Sequence, residues 1–229
     1  MCRSEGRVSE VVLDPSGKFS VQIVCPGSAI PRPGQYILAW SPSDRDSALA
    51  AALFPARIQK DGFLTAPSVP KSWEPGTLLE LRGPSGKGFN TPNTIQHLLL
   101  TALGGTVDRL LPLIDHALTN KIAVTLFTDS SIPALPTAVE IYPLSDLPAA
   151  LPWADFICID LPLEKLCSLR GILGLAPDSG LPCEAEALIT TAMPCGGPAE
   201  CSVCAVPVHR KWKLACKEGP VFDLQDINW

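Results

Sequence analysis

The chain has 229 residues, of which 46% are hydrophobic and 18% charged, and its formal net charge is −5. This composition supports a packed core and excludes an intrinsically disordered chain. The acidic residues are spread along the sequence and no basic stripe is present, which argues against a nucleic-acid-binding protein. The N-terminus lacks the apolar stretch of a signal peptide, and no apolar run is long enough to cross a bilayer. We therefore expect a cytoplasmic protein.

Residues 1–93 contain short β-rich runs that are separated by turn signals. Residues 7–13 and 19–24 flank the sequence Asp-Pro-Ser-Gly at 14–17, which is typical of a turn. Only residues 43–52 interrupt the pattern, as a loop or a helical turn. Short strands at this spacing predict a small antiparallel barrel or sandwich.

The remainder of the chain changes character twice. In residues 94–182, apolar residues at helical spacing (107–118 and 164–173) alternate with short apolar strand candidates, which predicts a parallel α/β sheet. Residues 183–229 are rich in cysteine, glycine and proline and are too few to build an apolar core of their own. A segment of this kind usually needs a metal to order it.

Four of the nine cysteines are clustered in this last segment. Five residues separate Cys195 from Cys201, two separate Cys201 from Cys204, and eleven precede Cys216. A tetrathiolate metal site can be built from three thiolates in one loop and a fourth from a later part of the chain. Zinc commonly takes two Cys-x-x-Cys pairs, whereas only one is present here, so the spacing favours a [2Fe–2S] cluster and leaves zinc as the alternative. The other cysteines are expected to be ordinary core or surface residues: Cys2, Cys25, Cys158, Cys167 and Cys183.

Glycines and cations surround the clustered cysteines. Gly196 and Gly197 allow a sharp turn and leave amide N–H groups free to point at sulfur. His209 could replace a thiolate as a ligand, but its position among Arg210, Lys211 and Lys213 is more typical of a solvated surface.

The residues from Cys195 to Asp223 resemble the C-terminal region of the electron-transfer subunit of dihydroorotate dehydrogenase. The most specific part of the resemblance is the sequence Cys-Lys-Glu-Gly-Pro-Val-Phe at residues 216–222. The runs Pro-Gly-Gln-Tyr at 33–36 and Gly-Pro-Ser-Gly-Lys-Gly-Phe at 83–89 resemble turns of that family's flavin-binding barrel. The family is ferredoxin-reductase-like, and it passes electrons between a partner dehydrogenase's flavin and a nicotinamide nucleotide.

The resemblance implies an α+β multi-domain fold and a set of cofactor sites. It implies an antiparallel FAD-binding-like β-barrel at 1–93, a Rossmann-like, NAD-binding-like α/β domain at 94–182 and a cluster-binding region at 183–229. It implies that Cys195, Cys201, Cys204 and Cys216 hold the [2Fe–2S] cluster. Its implied neighbours of FAD are Gln35, Tyr36, Arg57, Gly83, Gly86 and Gly88, and its implied nucleotide turn is Gly104 and Gly105.

The sequence departs from the family's pattern at both nucleotide sites. The barrel arginine that meets the flavin pyrophosphate is missing from the stretch at 54–58, where Arg57 is a partial substitute. In the Gly-Gly-x-Gly turn, Val107 takes the place of the third glycine, and Asp108 adds a negative charge where pyrophosphate would lie. The family also has a Cys-Gly-Pro sequence on the nicotinamide side of the site. This sequence is missing here, and residues 158–162 occupy the corresponding stretch. We therefore expect no tight NAD(P) binding.

These features together predict a function. We expect an electron-transfer subunit that works with a partner oxidoreductase subunit, passing electrons through a [2Fe–2S] cluster, and through FAD where it is bound, to a nicotinamide nucleotide or another carrier. The three histidines are scattered, so no catalytic residues are expected. The alternative is a structural or assembly subunit whose tail is stabilised by zinc.

Overall fold

The computed structural model describes residues 2–13, 17–43, 49–67, 69–197, 200–209 and 211–229. The turn expected at 14–17 lies outside these residues except for Gly17, and so do residues 44–48 of the interruption expected at 43–52. Within the described residues, the strands form sheets of seven, six and two strands.

The seven-stranded sheet is antiparallel throughout and curls into a barrel. Its strand order is β4-β3-β7-β1-β2-β6-β5. A β-bulge between Val8 and Glu10 in β1 adds to the bend, and apolar residues such as Val8, Ile23 and Phe63 fill the interior. The antiparallel barrel expected from the sequence is confirmed. The strands are β1 (Arg3–Leu13), β2 (Phe19–Val24), β3 (Tyr36–Trp40), β4 (Ala51–Leu53), β5 (Pro55–Gln59), β6 (Gly62–Thr65) and β7 (Leu78–Ser85), with a short 3-10 helix at Gly27–Ala29.

The six-stranded sheet has the order β10-β9-β8-β11-β12-β15. Its first five strands are parallel, as the alternating pattern predicts, and β15 is antiparallel to β12. The strands are β8 (His97–Ala102), β9 (Ala123–Thr128), β10 (Val139–Tyr142), β11 (Phe156–Pro162), β12 (Glu184–Thr190) and β15 (Val221–Asp223). Both β12 and β15 come from the chain beyond residue 182, so the last part of the chain completes this sheet.

The helices of this sheet are shorter than the apolar spacing predicts. They are α1 (Leu111–Thr119), α2 (Leu147–Ala150) and α3 (Leu169–Ile172), with 3-10 helices at Asp108–Leu110, Leu144–Asp146, Leu151–Trp153 and Leu163–Ser168. The helix expected over 107–118 begins as a 3-10 helix, and Pro112 is tolerated because it lies in the first turn of α1. The helix expected over 164–173 is likewise 3-10 for most of its length. Among the described residues, no helix is long and apolar enough to span a membrane.

The cysteine-rich segment is inserted between β12 and β15, which are neighbours in the sheet. It contains a hairpin of β13 (Ala205–Val208) and β14 (Lys211–Leu214). One hydrophobic core connects this insertion to the rest of the molecule. It combines Tyr36 of the barrel, Leu99 and Ile157 of the α/β sheet, and Cys204 and Cys216 of the insertion. Because both ends of the insertion are fixed in one sheet, its position is set by the α/β domain.

Candidate metal centre

The hairpin brings two of the clustered cysteines together. Ala205 of β13 is paired with Leu214 of β14, and the amide of Ala215 donates a hydrogen bond of 2.9 Å to the carbonyl oxygen of Cys204. Cys204 directly precedes β13 and Cys216 follows β14, so both lie at the open end of the hairpin. Their exposed fractions are 1% and 3%. The local antiparallel pairing therefore places two thiols side by side away from water.

The other two clustered cysteines lie in the loop between β12 and β13. Gly196 and Gly197 have φ values of 63° and 90° there, a left-handed conformation that glycine adopts without a steric penalty. Cys195 is half-buried, whereas Cys201 is exposed. The loop thus extends from the protein interior to the surface.

The thiols of this cluster influence one another electrostatically. The pKa of Cys216 is raised to about 12, first by burial, then by a hydrogen bond with the Cys204 thiol and by the charges of Cys204, Cys195 and Cys201. All four thiols therefore lie in one electrostatic neighbourhood. In the described part of the chain, however, no three His, Cys, Asp or Glu side chains are placed to hold one metal ion. Since thiolates are the ligands that iron–sulfur clusters use, the donor set fits such a cluster, and binding would have to displace thiol protons.

Tyr36 is a neighbour of this cluster that sequence reasoning assigned to the flavin. Its hydroxyl donates a hydrogen bond of 2.7 Å to the carbonyl oxygen of Cys216, and its side chain is fully buried. Burial raises the pKa of Tyr36, and the charges of Cys216, Cys204 and Cys195 raise it further. The two residues are 180 positions apart in sequence, so only the folded chain reveals the contact.

The glycine turn after β7 packs against the segment that follows Cys216. A Cβ atom on Gly86 would lie 2.6 Å from the carbonyl oxygen of Gly219, and the amide of Lys87 donates a hydrogen bond of 2.5 Å to that same oxygen. Gln35 supports the turn, because its Nε2 donates to the carbonyl oxygen of Gly86 at 3.0 Å. The glycine turn that was expected beside FAD therefore packs against the segment that follows the fourth cysteine, Cys216.

The remaining expected flavin neighbours are placed differently. Gly88 packs against the carbonyl oxygen of Pro33, near this same turn, and Gly83 lies within β7. Arg57 lies apart from them on β5, where it lines a groove of about 270 Å³ together with Asp115 of α1. The structure thus brings Gln35, Tyr36, Gly86 and Gly88 together and leaves Arg57 elsewhere.

The two glycines expected to bind a nucleotide lie at the carboxyl end of β8. Close to Gly104, Arg109 Nε donates a hydrogen bond of 2.9 Å to Asp160 Oδ2 in an ion pair. Asp160 is fully buried, and burial raises its pKa although the Arg109 charge opposes the change. Sequence reasoning missed this pair, although an aspartate at the end of the apolar run Phe-Ile-Cys-Ile was a signal that a buried charge needs a partner.

Two further features border the cysteine cluster. A groove of about 330 Å³ runs along the outer face of the barrel to Cys195, and Trp40 and Arg82 are among its lining residues. His209 is turned toward Asp226, with 3.3 Å between Nε2 and Oδ1. The structure thus places its imidazole against a surface carboxylate.

Residues 191–228 match the family model described as the iron-sulfur cluster binding domain of dihydroorotate dehydrogenase B. The C-terminal region is thus similar to this type of iron–sulfur domain. The resemblance to the electron-transfer subunit of dihydroorotate dehydrogenase is thereby confirmed, and the zinc alternative is not favoured. No curated protein matches the chain in sequence.

Solved structures resemble the fold of this chain over most of its length. An NADH-dependent reduced ferredoxin-NADP oxidoreductase matches with a TM-score of 0.75 and 19% identity over 98% of this chain and 90% of its own. The ferredoxin reductase in carbazole 1,9a-dioxygenase matches with a TM-score of 0.62 and 18% identity over 77% of this chain and 67% of its own. Ferredoxin-NADP+ reductase from Plasmodium falciparum matches with a TM-score of 0.59 and 10% identity over 77% of this chain and 90% of its own. The expected ferredoxin-reductase-like fold is confirmed.

Proposed function

We propose that this chain is the electron-transfer subunit of an oxidoreductase complex and that Cys195, Cys201, Cys204 and Cys216 hold a [2Fe–2S] cluster. The observation that carries the proposal is that residues 191–228, which contain all four cysteines, match an iron-sulfur cluster binding domain in a chain with a ferredoxin-reductase-like fold. When bound, such a cluster carries electrons one at a time between redox partners.

The cysteine spacing and the family match support an iron–sulfur cluster over one zinc ion. A structural zinc site needs all its ligands around a single point, usually four of them. In a [2Fe–2S] cluster, by contrast, each iron takes two protein ligands. Only Cys201 and Cys204 form the Cys-x-x-Cys pair that zinc commonly takes twice. This spacing and the match to an iron-sulfur cluster binding domain therefore favour the cluster.

The two halves of the site differ in their exposure to water. The hairpin holds Cys204 and Cys216 in the hydrophobic core, which keeps water from that side. The loop brings Cys201 to the surface, next to Val203, whose exposed fraction is 52%. A buried side and an exposed side suit a centre that must meet a partner's cofactor. We therefore place the partner subunit against the loop of Cys201 and Val203.

FAD is the second cofactor that the fold and the resemblance favour. Four of its six expected neighbours are used in packing the glycine turn and the Cys216 segment, and Phe54 packs against Tyr36 with 6.0 Å between ring centroids. These groups are therefore already engaged in contacts within the chain. Yellow absorbance that is released when the purified chain is denatured tests for it.

A pair of matched variants tests the ligand assignment. Cys201→Ser removes an exposed candidate ligand, whereas Cys167→Ser removes an exposed cysteine outside the cluster. We expect anaerobically purified Cys201→Ser to lose most of its iron and acid-labile sulfide, and Cys167→Ser to retain the wild-type content. Equal iron in both variants would remove Cys201 from the ligand set.

A further inference from the structure

We infer that the nucleotide crevice of the α/β sheet is filled by the chain's own side chains and takes no nicotinamide dinucleotide. The site concerned is the point where the strand order reverses, between the carboxyl ends of β8 and β11, where ligands of open α/β sheets bind. The inference rests on the proposed electron-transfer function in one respect. If electrons pass through this chain, they are exchanged with protein partners rather than with NADH or NADPH.

The Arg109–Asp160 ion pair occupies the space that a pyrophosphate would need. A Cβ atom on Gly104 would lie 2.7 Å from Arg109 Nη2 and 3.6 Å from Asp160 Oδ1. The guanidinium and the carboxylate therefore lie directly over the first glycine of the turn. Their side chains are only 10% and 0% exposed, so they close the crevice rather than line it. Arg109 Nε is also already bonded to Asp160 Oδ2, at 2.9 Å.

The turn also differs from a phosphate-binding turn in its sequence and in the helix that follows it. Anion sites at helix N-termini depend on free backbone N–H groups that point at the ligand. Here α1 starts only at Leu111, after a 3-10 helix, and Pro112 in its first turn has no N–H. The third glycine position is taken by Val107, which is fully buried, and Asp108 adds a carboxylate beside the turn. Each difference disfavours a bound anion.

Contacts from outside the turn hold it in this closed state. Lys18 Nζ, next to β2 of the barrel, donates a hydrogen bond of 2.5 Å to the carbonyl oxygen of Gly105. Lys165 Nζ donates to the carbonyl oxygen of Leu103 at 2.9 Å. In addition, β5 of the barrel packs on the 3-10 helix that contains Arg109 and on α1. Barrel and α/β domain therefore meet where a dinucleotide would otherwise enter.

A direct binding measurement on the full chain tests this inference. NADH and NADPH fluorescence are titrated up to about 1 mM, the upper end of typical Michaelis constants. We expect no saturable binding, and we expect amide hydrogen exchange in residues 103–110 to be the same with and without NADH. Saturable binding of either nucleotide within this range would overturn the inference, and so would slower exchange in residues 103–110.

The same samples separate this inference from the proposed function. Iron and sulfide content reports on the cluster, whereas nucleotide fluorescence and amide exchange report on the crevice. A chain that holds iron and sulfide but binds NADH contradicts the inference and leaves the proposed function in place. A chain that holds neither iron nor sulfide contradicts the proposed function, while the nucleotide titration still decides the state of the crevice.

Discussion

The hydrogen bond between the barrel and the fourth cysteine gives a quantitative prediction. Tyr36→Phe removes the donor to the buried carbonyl oxygen of Cys216 and leaves the aromatic ring in place. A buried acceptor that loses its partner costs about 1–3 kcal/mol of folding free energy. For a chain of 150–250 residues, each kcal/mol lowers Tm by about 2–4 °C, so we expect Tm to fall by about 2–12 °C.

Thermal unfolding followed by circular dichroism measures this effect. Tyr142→Phe is the matched control, because it makes the same chemical change at a tyrosine that is 42% exposed. Such a surface substitution changes stability by less than about 0.5 kcal/mol. If the cluster depends on this contact, the Tyr36→Phe chain also releases its iron faster to a chelator than the control does. Equal Tm values for the two variants would refute the reasoning.

Three other predictions test the electrostatics and burial of the fold. Asp160→Asn leaves a buried guanidinium without its partner and should cost about 3–5 kcal/mol in urea unfolding. Asp226→Asn, in an exposed pair, should cost about 0–1 kcal/mol, and equal costs would contradict the burial argument. Iodoacetamide should label exposed Cys167 in the native protein but not buried Cys158, whose pKa is raised by burial, and mass spectrometry reads the sites. The backbone N–H groups of Gln96 and His97 donate to the Asp155 carboxylate and lower its pKa in the folded protein. The stabilisation that Asp155 contributes is therefore present above about pH 4, the pKa of an unfolded aspartate. It is lost as the pH falls through the lower pKa of the folded state. Asp155→Asn should therefore flatten the acid side of the stability curve, and an unchanged curve would remove Asp155 as its cause.

Local sequence signals predicted the parts of this protein that depend on local chemistry. Turn residues and short apolar runs predicted the barrel, because a strand's side-chain alternation is visible within a few residues. The cysteine spacing predicted the region that matches an iron-sulfur cluster binding domain, because metal ligands of one loop lie close in sequence. The sequence Cys-Lys-Glu-Gly-Pro-Val-Phe at residues 216–222 made the resemblance more specific, and it lies within the residues that match the family model.

Contacts between distant residues were beyond the reach of such signals. The Tyr36 hydroxyl meets Cys216 across 180 positions, and Arg109 meets Asp160 across 51. Nothing in the sequence around Pro-Gly-Gln-Tyr shows that its tyrosine faces the cysteines. The pattern at 107–118 likewise does not show that the first turn is a 3-10 helix or that Arg109 folds back over Gly104. These features arise from how the barrel, the sheet and the insertion pack together.

The proposed electron-transfer function requires that four thiols of one chain hold two irons. Iron and acid-labile sulfide analysis of the anaerobically purified full chain, with electron paramagnetic resonance after dithionite reduction, tests it most directly. We expect about two irons and two sulfides per chain and a signal from a reduced [2Fe–2S] centre. A colourless protein with one zinc ion per chain and no sulfide would contradict it.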